Sequence, residues 1–210
     1  MASSAKIVMK FLEERFVALG YRKVGPAIFV RFQQPKVLSW VGLNQAKRQG
    51  SIEINPMVGV RNQDVESLVA DLNEEPFNPY IPPTAALNVG YLTDQKKYMA
   101  FFFDGTRADE GIVADLVTLV NEVASNFLTE NASLAGLIET IKTSNRLIPE
   151  QVAYRLPVAL SLAGLNDEAS SVLEAKVVDI GGRTDPAAVR YLAFARRFKD
   201  KVRSVPSNRD

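Results

Sequence analysis

The sequence contains no cysteine and no histidine. Without cysteine the chain forms no disulfide, no thiolate metal site and no cysteine nucleophile. Without histidine it lacks the usual general base, the Ser-His-Asp triad and imidazole-ligated zinc. Catalysis would have to use Asp, Glu, Lys or Tyr. These two absences favour a protein that is not an enzyme, and we assign no catalytic residue from the sequence.

Phosphate-binding loops are also missing, because the glycines show neither the Walker nor the dinucleotide spacing. The nearest candidates are isolated in the chain: Gly20, Gly25 and Gly42. The nearest cluster of carboxylates, Asp104, Asp109 and Glu110, lacks the spacing of a calcium loop, and the helix dipole alone favours acids at a helix start. We therefore expect no cofactor and no metal ion.

No apolar run approaches the roughly 20 residues that a membrane span needs. The first residues, MASSAKIVMKFLEERF, mix acids and bases at helical spacing and lack the core of a signal peptide. With 47% hydrophobic and 23% charged residues, the composition is that of an ordinary soluble protein. These features predict a cytoplasmic protein without a membrane partner.

Residues 26–61 are predicted to form three strands joined by two short turns, at residues 34–36 and 47–50. Residues 28–33 alternate, with Ile28, Val30 and Phe32 expected to face the core. Residues 37–43 are apolar on both parities, which predicts a strand covered on both faces. Residues 51–61 alternate across Pro56, which we expect at a bulge or on an edge because proline donates no ladder hydrogen bond.

Two further strands, residues 84–93 and 97–104, are predicted to form a hairpin that turns at residues 94–96. Apolar residues at helical spacing predict helices within residues 4–19, 62–72, 106–127, 134–141, 149–163 and 166–180 and from residue 186 onward. The expected N-caps are Ser3 or Ser4, Asn62, Thr106, Asn166 and Asp185, and the expected C-terminal stops are Gly20, Gly164 and Gly181.

These elements predict an α+β fold, an antiparallel sheet of about five strands with flanking helices, followed by a C-terminal helical subdomain. We expect residues 1–130 to form the sheet domain and residues 131–210 to form the helical subdomain. Very short turns link the later helices, so neighbouring helices should be antiparallel hairpins that pack on the first domain.

The most plausible recognition element is the loop of residues 73–83, NEEPFNPYIPP, which contains four prolines. A segment so poor in amide donors is neither a helix nor a central strand, and we expect a stiff surface loop. Phe77, Tyr80 and Ile81 would then be partner-binding residues, because aromatic side chains on a rigid loop add contact area at little ordering cost. The alternative is that these side chains fold back onto the sheet.

Arg31, Glu53 and Arg61 share the parity predicted to face outward. We favour a charge ladder across strands on a solvated face, which adds these residues to the partner-binding surface. The alternative is that Glu53 is the carboxylate of an enzyme that works without histidine or cysteine, with the two arginines as clamps.

Charge is unevenly distributed. Net charge is +3 over residues 1–103, −7 over residues 104–182 and +5 over residues 183–210. The predicted last helix carries the candidate nucleic-acid residues Arg190, Arg196, Arg197, Lys199 and Lys201, interleaved with aromatic side chains. A core-facing stripe of Tyr191, Ala195 and Phe198, with bases that the helix dipole stabilises, explains the same pattern.

The N-terminal half resembles a bacterial family of domains of unknown function. In that family an N-terminal helix ends in a Leu-Gly-aromatic-basic turn, and an aromatic-x-Arg strand follows. The matching residues are Leu19, Gly20, Tyr21, Lys23, Phe29 and Arg31, with Trp40 and Gly59 aligned less securely. Members are often small cytosolic partners in toxin and immunity systems, so the resemblance implies a binding role and supplies no catalytic residue.

The preferred hypothesis is a cytoplasmic, non-enzymatic protein-binding module of a bacterium, an immunity or defence-system component whose partner is another protein. A nucleic-acid-associated protein and a carboxylate-dependent enzyme are the alternatives. The sequence identifies neither the partner nor the oligomeric state.

Overall fold

The computed structural model describes residues 4–48, 51–104 and 109–204, and the side chains within these ranges except those of residues 4, 5, 48, 203 and 204. Three predictions therefore lie outside the described residues. These are the cap at Ser3 or Ser4, the second turn at Gln49 and Gly50, and the capping box that begins at Thr106.

The α+β class and the antiparallel sheet are confirmed. The strands are β1 Arg22–Gly25, β2 Ile28–Gln34, β3 Val37–Arg48, β4 Ser51–Asn62, β5 Ala85–Asn88 and β6 Phe101–Phe103. The helices are α1 Ser4–Ala18, α2 Gln63–Leu72, α3 Asp109–Asn131, α4 Leu134–Thr143, α5 Pro149–Leu162, α6 Asn166–Ile180 and α7 Pro186–Ser204.

The chain divides into two compact units. Unit 1 comprises residues 1–61 and 80–132, and unit 2 comprises residues 62–79 and 133–210. Segment 62–79, which contains α2, lies within the residues that the sequence assigns to the sheet domain. It groups with the C-terminal helices because α2 packs on α5 and because the carboxylate of Glu66 pairs with the guanidinium of Arg155.

In unit 1 the strands follow the order β1-β2-β3-β4-β5, and β6 also pairs with β4. Both short strands are antiparallel to β4: β6 pairs with residues 52–54 and β5 pairs with residues 57–60. Pro56 thus lies at a position of β4 that neither β5 nor β6 pairs. At Pro56, β4 is therefore a local edge on the side of β5 and β6, although it is a central strand of the sheet.

The predicted hairpin of residues 84–93 and 97–104 is wrong, because β5 and β6 each pair with β4 and not with one another. The Asn88 side chain replaces the missing ladder: its Oδ1 accepts from the Met99 amide at 2.9 Å, and its Nδ2 donates to the Met99 carbonyl at 2.9 Å. A short 3-10 helix, Val89–Leu92, follows. Only glycine fits at residue 90, where a Cβ would lie 2.0 Å from the Lys97 carbonyl oxygen.

The core of unit 1 covers both faces of β2 at its centre, where Phe29 and Val30 are both fully buried. Phe16 of α1 contacts Phe29, with ring centroids 5.1 Å apart, and also contacts Tyr21. The prediction that Phe32 faces the core is wrong, since its side chain is 54% exposed. At the centre of β2 both faces are buried, so alternation predicted neither the burial of Phe29 nor the exposure of Phe32.

In unit 2, α4, α5, α6 and α7 follow one another through short turns, and α2 packs against α5 and α7. The predicted cap at Asn62 is confirmed, because its Oδ1 accepts from the amides of Asp64 and Val65. Asp185 caps α7 through the Ala188 amide, as predicted. The cap at Asn166 is wrong: α6 begins at this residue, whose side chain accepts from Ser161 Oγ.

One helix in the described part of the chain, α3, is long and apolar enough to cross a membrane by length and composition alone. In this structure 44% of its apolar window is buried within the protein.

Candidate interaction surface

Four residues of unit 1 form an aromatic and cationic surface that we name the Arg22 patch: Arg22, Phe32, Tyr80 and Ile81. The guanidinium carbon of Arg22 lies 4.7 Å from the centroid of the Tyr80 ring and 5.8 Å from that of the Phe32 ring. Both distances are within the range of cation–π attraction. Phe32 and Ile81 are exposed, and Tyr80 is half-buried.

The sheet places Arg22 beside Phe32. Arg22 pairs with Val30 across β1 and β2, so their side chains lie on the same face. Phe32 is two residues beyond Val30 on β2 and therefore shares this face. Register alone brings the guanidinium to the ring, without any contribution from a loop.

A buried arginine holds the segment that carries Tyr80 and Ile81. Arg61 of β4 is 1% exposed, and its Nη1 donates to the carbonyl oxygen of Pro82. The Thr84 amide donates to the Val60 carbonyl at 2.9 Å, which begins the pairing of β5 with β4. The peptide bond between Ile81 and Pro82 is cis. These contacts join the patch to the central strand.

The predicted charge ladder of Arg31, Glu53 and Arg61 on a solvated face is wrong. Glu53 is 7% exposed and Arg61 is 1% exposed. Both belong to β4, which has partners on both edges and is buried on both parities near these residues. A central strand that is buried on both faces has no side that points to solvent. The alternation of residue types in β4 therefore gave a wrong prediction. Glu53 lies directly opposite Phe102 of β6.

Arg31 closes the end of α1. Its Nη1 donates to the Leu19 carbonyl at 3.2 Å and to Asn121 Oδ1 at 3.4 Å, and its guanidinium lies 4.6 Å from the Tyr21 ring centroid. Gly20 has a φ of +81°, the left-handed conformation predicted for the stop of α1. The motif that carries the family resemblance therefore forms the C-terminal end of α1. Arg31 donates a hydrogen bond to one of the backbone carbonyls exposed at that end.

The Pro-rich loop is divided between the units. Phe77 belongs to unit 2 and is exposed, whereas Tyr80 and Ile81 belong to unit 1. In unit 2 the loop is held at Pro79, whose carbonyl accepts from Gln63 Nε2 at 2.9 Å. Of the three loop residues predicted to bind a partner, two therefore contribute to the Arg22 patch.

Most bases of α7 are paired within unit 2, and their partners are mostly acids of the segment that ends α2. Arg190 pairs with Glu75 at 2.6 Å, Arg197 with Glu74, Lys201 with Asp71 at 2.6 Å, and Lys199 with Glu174 at 3.2 Å. Arg197 also donates to the Leu72 carbonyl at 3.0 Å, a C-terminal carbonyl of α2. Arg196 is exposed and has no ion pair in the described ranges. Because neighbouring acids pair with four of these bases, the positive charge of α7 is partly neutralised. This weakens the hypothesis that α7 binds nucleic acid.

Sequence reasoning missed Arg22 and Phe32. Alternation assigns Phe32 to the core, and no motif in the sequence singles out Arg22. A signal was present in the run of polar residues Gln33 and Gln34 after Phe32, which indicates that this end of β2 extends beyond the core. The described residues contain no group of three or more Asp or Glu side chains arranged to hold a metal ion.

No protein-family model, no curated protein and no solved structure matches this chain. The resemblance of the N-terminal half to a bacterial family therefore stays a prediction.

Proposed function

We propose that the chain is a non-enzymatic protein-binding module that holds its partner through the Arg22 patch. The observation that carries the proposal is the position of an exposed guanidinium over two aromatic rings, Phe32 and Tyr80. Aromatic side chains and arginine are the residues that most often dominate the binding energy of protein interfaces. Ile81, which is 40% exposed, adds apolar area beside them.

The cation–π contacts leave Arg22 able to bind an anion. A guanidinium carries its N–H donors in a planar fork, and this fork matches a carboxylate in a bidentate geometry. Within the described part of the chain, Arg22 has no carboxylate within ion-pair distance. The complementary partner surface is a carboxylate flanked by apolar side chains.

The position of the patch on the sheet supports binding without large rearrangement. Arg22 and Phe32 are on paired strands, and the Arg61 contact with Pro82 fixes the segment of Tyr80. Preorganised side chains lose little conformational entropy on association, so more of the contact energy contributes to affinity.

The test compares wild type and two variants by affinity capture from the native host. The dissociation constant of each protein for the purified partner is then measured. The patch variant is Arg22→Glu/Phe32→Ser. The matched control is Arg196→Glu/Val189→Ser, which makes the same kinds of change at exposed residues of α7 in unit 2. We expect wild type and control to bind the same protein, and the patch variant to bind it at least about tenfold more weakly. Equal binding by all three proteins would remove the patch from consideration.

The biological setting follows only from the family resemblance. We propose a cytoplasmic component of a bacterial immunity or defence system, with a toxin as the partner. Co-expression of this chain with a toxin encoded beside it would test this, since an immunity protein restores growth and its Arg22→Glu/Phe32→Ser variant should not. The nucleic-acid and enzyme alternatives remain predictions, and neither the ion pairs of α7 nor the buried position of Glu53 favours them.

A further inference from the structure

A separate feature of unit 2 is a cavity of about 220 Å³ between the start of α5, the end of α6 and the start of α7. Apolar side chains form part of its wall: Ala153, Ile180, Ala187 and Ala188. The polar lining includes Glu150, Tyr154 and Tyr191. None of these residues belongs to the Arg22 patch, so the cavity is independent of the proposed function.

A buried tyrosine whose hydroxyl has no partner lines this cavity. Tyr154 is 8% exposed, and its hydroxyl makes no hydrogen bond with any described residue. The adjacent Tyr191, with its ring centroid 5.2 Å from that of Tyr154, donates to the Ala153 carbonyl at 3.3 Å. Buried polar groups are normally hydrogen-bonded, and the Tyr154 hydroxyl therefore indicates a ligand that supplies the missing partner.

The carboxylate of Glu150 lies near this hydroxyl. Both residues belong to α5 and are four positions apart, so they share one face of the helix. Burial raises the pKa of the Tyr154 hydroxyl above its ordinary value of 10.0; the charge of Arg190 opposes the rise, and that of Glu150 adds to it. Glu150 is exposed and has no ion pair within the described part of unit 2. Its negative charge is thus available to a ligand.

The bases in or beside the cavity already have acidic partners. Lys176 and Arg183 line the cavity, and the guanidinium carbon of Arg190 lies 6.0 Å from the Tyr154 ring centroid. The ion pairs are Lys176 with Asp179 at 2.5 Å, Arg183 with Asp185 at 2.9 Å and Arg190 with Glu75 at 2.6 Å. Because each pair is neutral, Glu150 leaves the surroundings of the cavity with an excess of one negative charge. This excess favours a cationic ligand over an anionic one.

The volume limits the ligand to one ring or a short chain. An apolar cavity of roughly 150 Å³ accepts benzene, and pockets for drug-sized ligands begin at roughly 300 Å³. The rings of Tyr154 and Tyr191 add attraction for a cation, since the face of an aromatic ring carries negative charge. An ammonium has three donors, so one such group can bond both a carboxylate and a hydroxyl oxygen.

We propose that this cavity binds a small free primary amine in its ammonium form, with the apolar body against Ala153, Ile180 and Ala188 and the ammonium between the Glu150 carboxylate and the Tyr154 hydroxyl. The ligand gives the hydroxyl its missing partner and neutralises the unpaired carboxylate. The apolar wall contributes affinity, and Glu150 contributes the preference for a cation.

The experiment titrates the full chain with three probes that share one benzene ring: benzylammonium, benzyl alcohol and benzoate. Methyl NMR reports the site, and calorimetry reports the affinity. We expect the methyl signals of Ala153, Ile180 and Ala188 to shift, with benzylammonium bound most tightly and benzoate most weakly. A fourth probe, Nα-acetyl-lysine amide, carries the same ammonium on a peptide and should bind more weakly than benzylammonium, because its backbone does not fit the cavity.

Two variants test the polar groups. Glu150→Gln should weaken benzylammonium about fivefold and leave benzyl alcohol unchanged. Tyr154→Phe should weaken both probes about fivefold, because each loses one hydrogen bond. The matched control Glu139→Gln makes the same charge change at an exposed acid of α4 that does not line the cavity, and it should leave both affinities unchanged.

A cavity-filling variant separates this site from general apolar binding. Ala187→Trp, at an exposed lining residue, should abolish binding of benzylammonium and benzyl alcohol. Val189→Trp, at an exposed position of the same helix outside the cavity, should leave both unchanged. Circular dichroism checks the folding of each variant.

Three outcomes would overturn the proposal. The lining methyl signals do not shift with benzylammonium, benzoate binds as tightly as benzylammonium, or Glu150→Gln retains the full preference for benzylammonium over benzyl alcohol. Tighter binding of Nα-acetyl-lysine amide than of benzylammonium would overturn the assignment to a free amine, since a lysine side chain of another protein would then be the better ligand.

Discussion

Glu66 of α2 and Arg155 of α5 form a bidentate ion pair inside unit 2. Arg155 Nε donates to Glu66 Oε1 at 2.7 Å, Arg155 Nη2 donates to Glu66 Oε2 at 3.1 Å, and both side chains are buried. The residues are 89 positions apart, so no local pattern predicts the contact. Each charge requires the other, because an unpaired ion in an apolar interior costs several kcal/mol.

Removing one partner should therefore destabilise the protein strongly. We expect Glu66→Ala to lower the free energy of unfolding by about 3–5 kcal/mol, since Arg155 would remain buried without a counter-ion. The double variant Glu66→Leu/Arg155→Met should recover most of this loss. Urea denaturation measures both. Glu75→Gln, which breaks the exposed pair with Arg190, is the control and should cost at most about 1 kcal/mol. Similar losses for Glu66→Ala and Glu75→Gln would contradict the argument.

The acidic residues in the last turn of α2 and just after it should suppress the binding of nucleic acid by α7. Asp71, Glu74 and Glu75 pair with three of its bases, so Asp71→Asn/Glu74→Gln/Glu75→Gln would release those positive charges. We expect this variant to bind duplex DNA at low salt more tightly than wild type does, with an affinity that falls steeply as salt increases. Fluorescence anisotropy with a labelled duplex measures the effect.

A control for net charge makes this prediction specific. Asp115→Asn/Glu122→Gln/Glu130→Gln changes net charge by the same amount at three exposed acids of α3. If the two triple variants gain the same affinity for DNA, overall charge explains the gain and the ion pairs of α7 do not.

The sequence predicted elements well where the determinants are local. Asn62 caps α2, Asp185 caps α7, and Gly20 ends α1 in a left-handed conformation, because each of these contacts joins residues within a few positions. Strands β2, β3 and β4 followed from residue patterns and turns for the same reason, whereas β1 was not predicted.

Prediction failed where distant segments decide the outcome. Asn88 pairs with the backbone of Met99, so residues that read as a hairpin instead both pair with β4. Arg61 alternates with apolar residues as a solvated side chain would, yet it is buried and binds Pro82. The bases of α7 read as a nucleic-acid surface because three of their acidic partners are more than 100 positions away.

Close packing at Gly59 predicts a specific loss of stability. A Cβ at this residue of β4 would lie 2.6 Å from the Ala85 carbonyl oxygen and 2.8 Å from the Ala86 Cβ, so β5 would have to move. We expect Gly59→Ala to destabilise the protein by about 1–3 kcal/mol in urea denaturation.

The same substitution in an open position should have the opposite sign. Gly111 lies in α3, and a Cβ there meets no atom within 4 Å. Gly111→Ala should therefore stabilise the protein by about 0.5–1 kcal/mol, because alanine loses less backbone entropy in a helix. A stability gain for Gly59→Ala would show that β5 yields easily to the added methyl group.

Tyr191 should make the protein sensitive to alkaline pH. Burial raises the pKa of its hydroxyl well above the ordinary value of 10.0, and Tyr154 adds to the shift. The folded chain therefore holds this proton more tightly than the unfolded chain does. The resulting stability is fully present below about pH 10 and is lost as pH rises through the folded pKa.

We expect the free energy of unfolding to decrease from about pH 10 upward, by at most about 1.4 kcal/mol per pH unit for this group. Tyr191→Phe removes the titrating hydroxyl together with its contact to the Ala153 carbonyl at 3.3 Å. This variant should be less stable at neutral pH and should lose less stability on going to alkaline pH. Tyr98→Phe, at an exposed tyrosine, should keep the wild-type slope. If Tyr191→Phe and wild type lose stability at the same rate, other groups such as the lysines cause the alkaline decline.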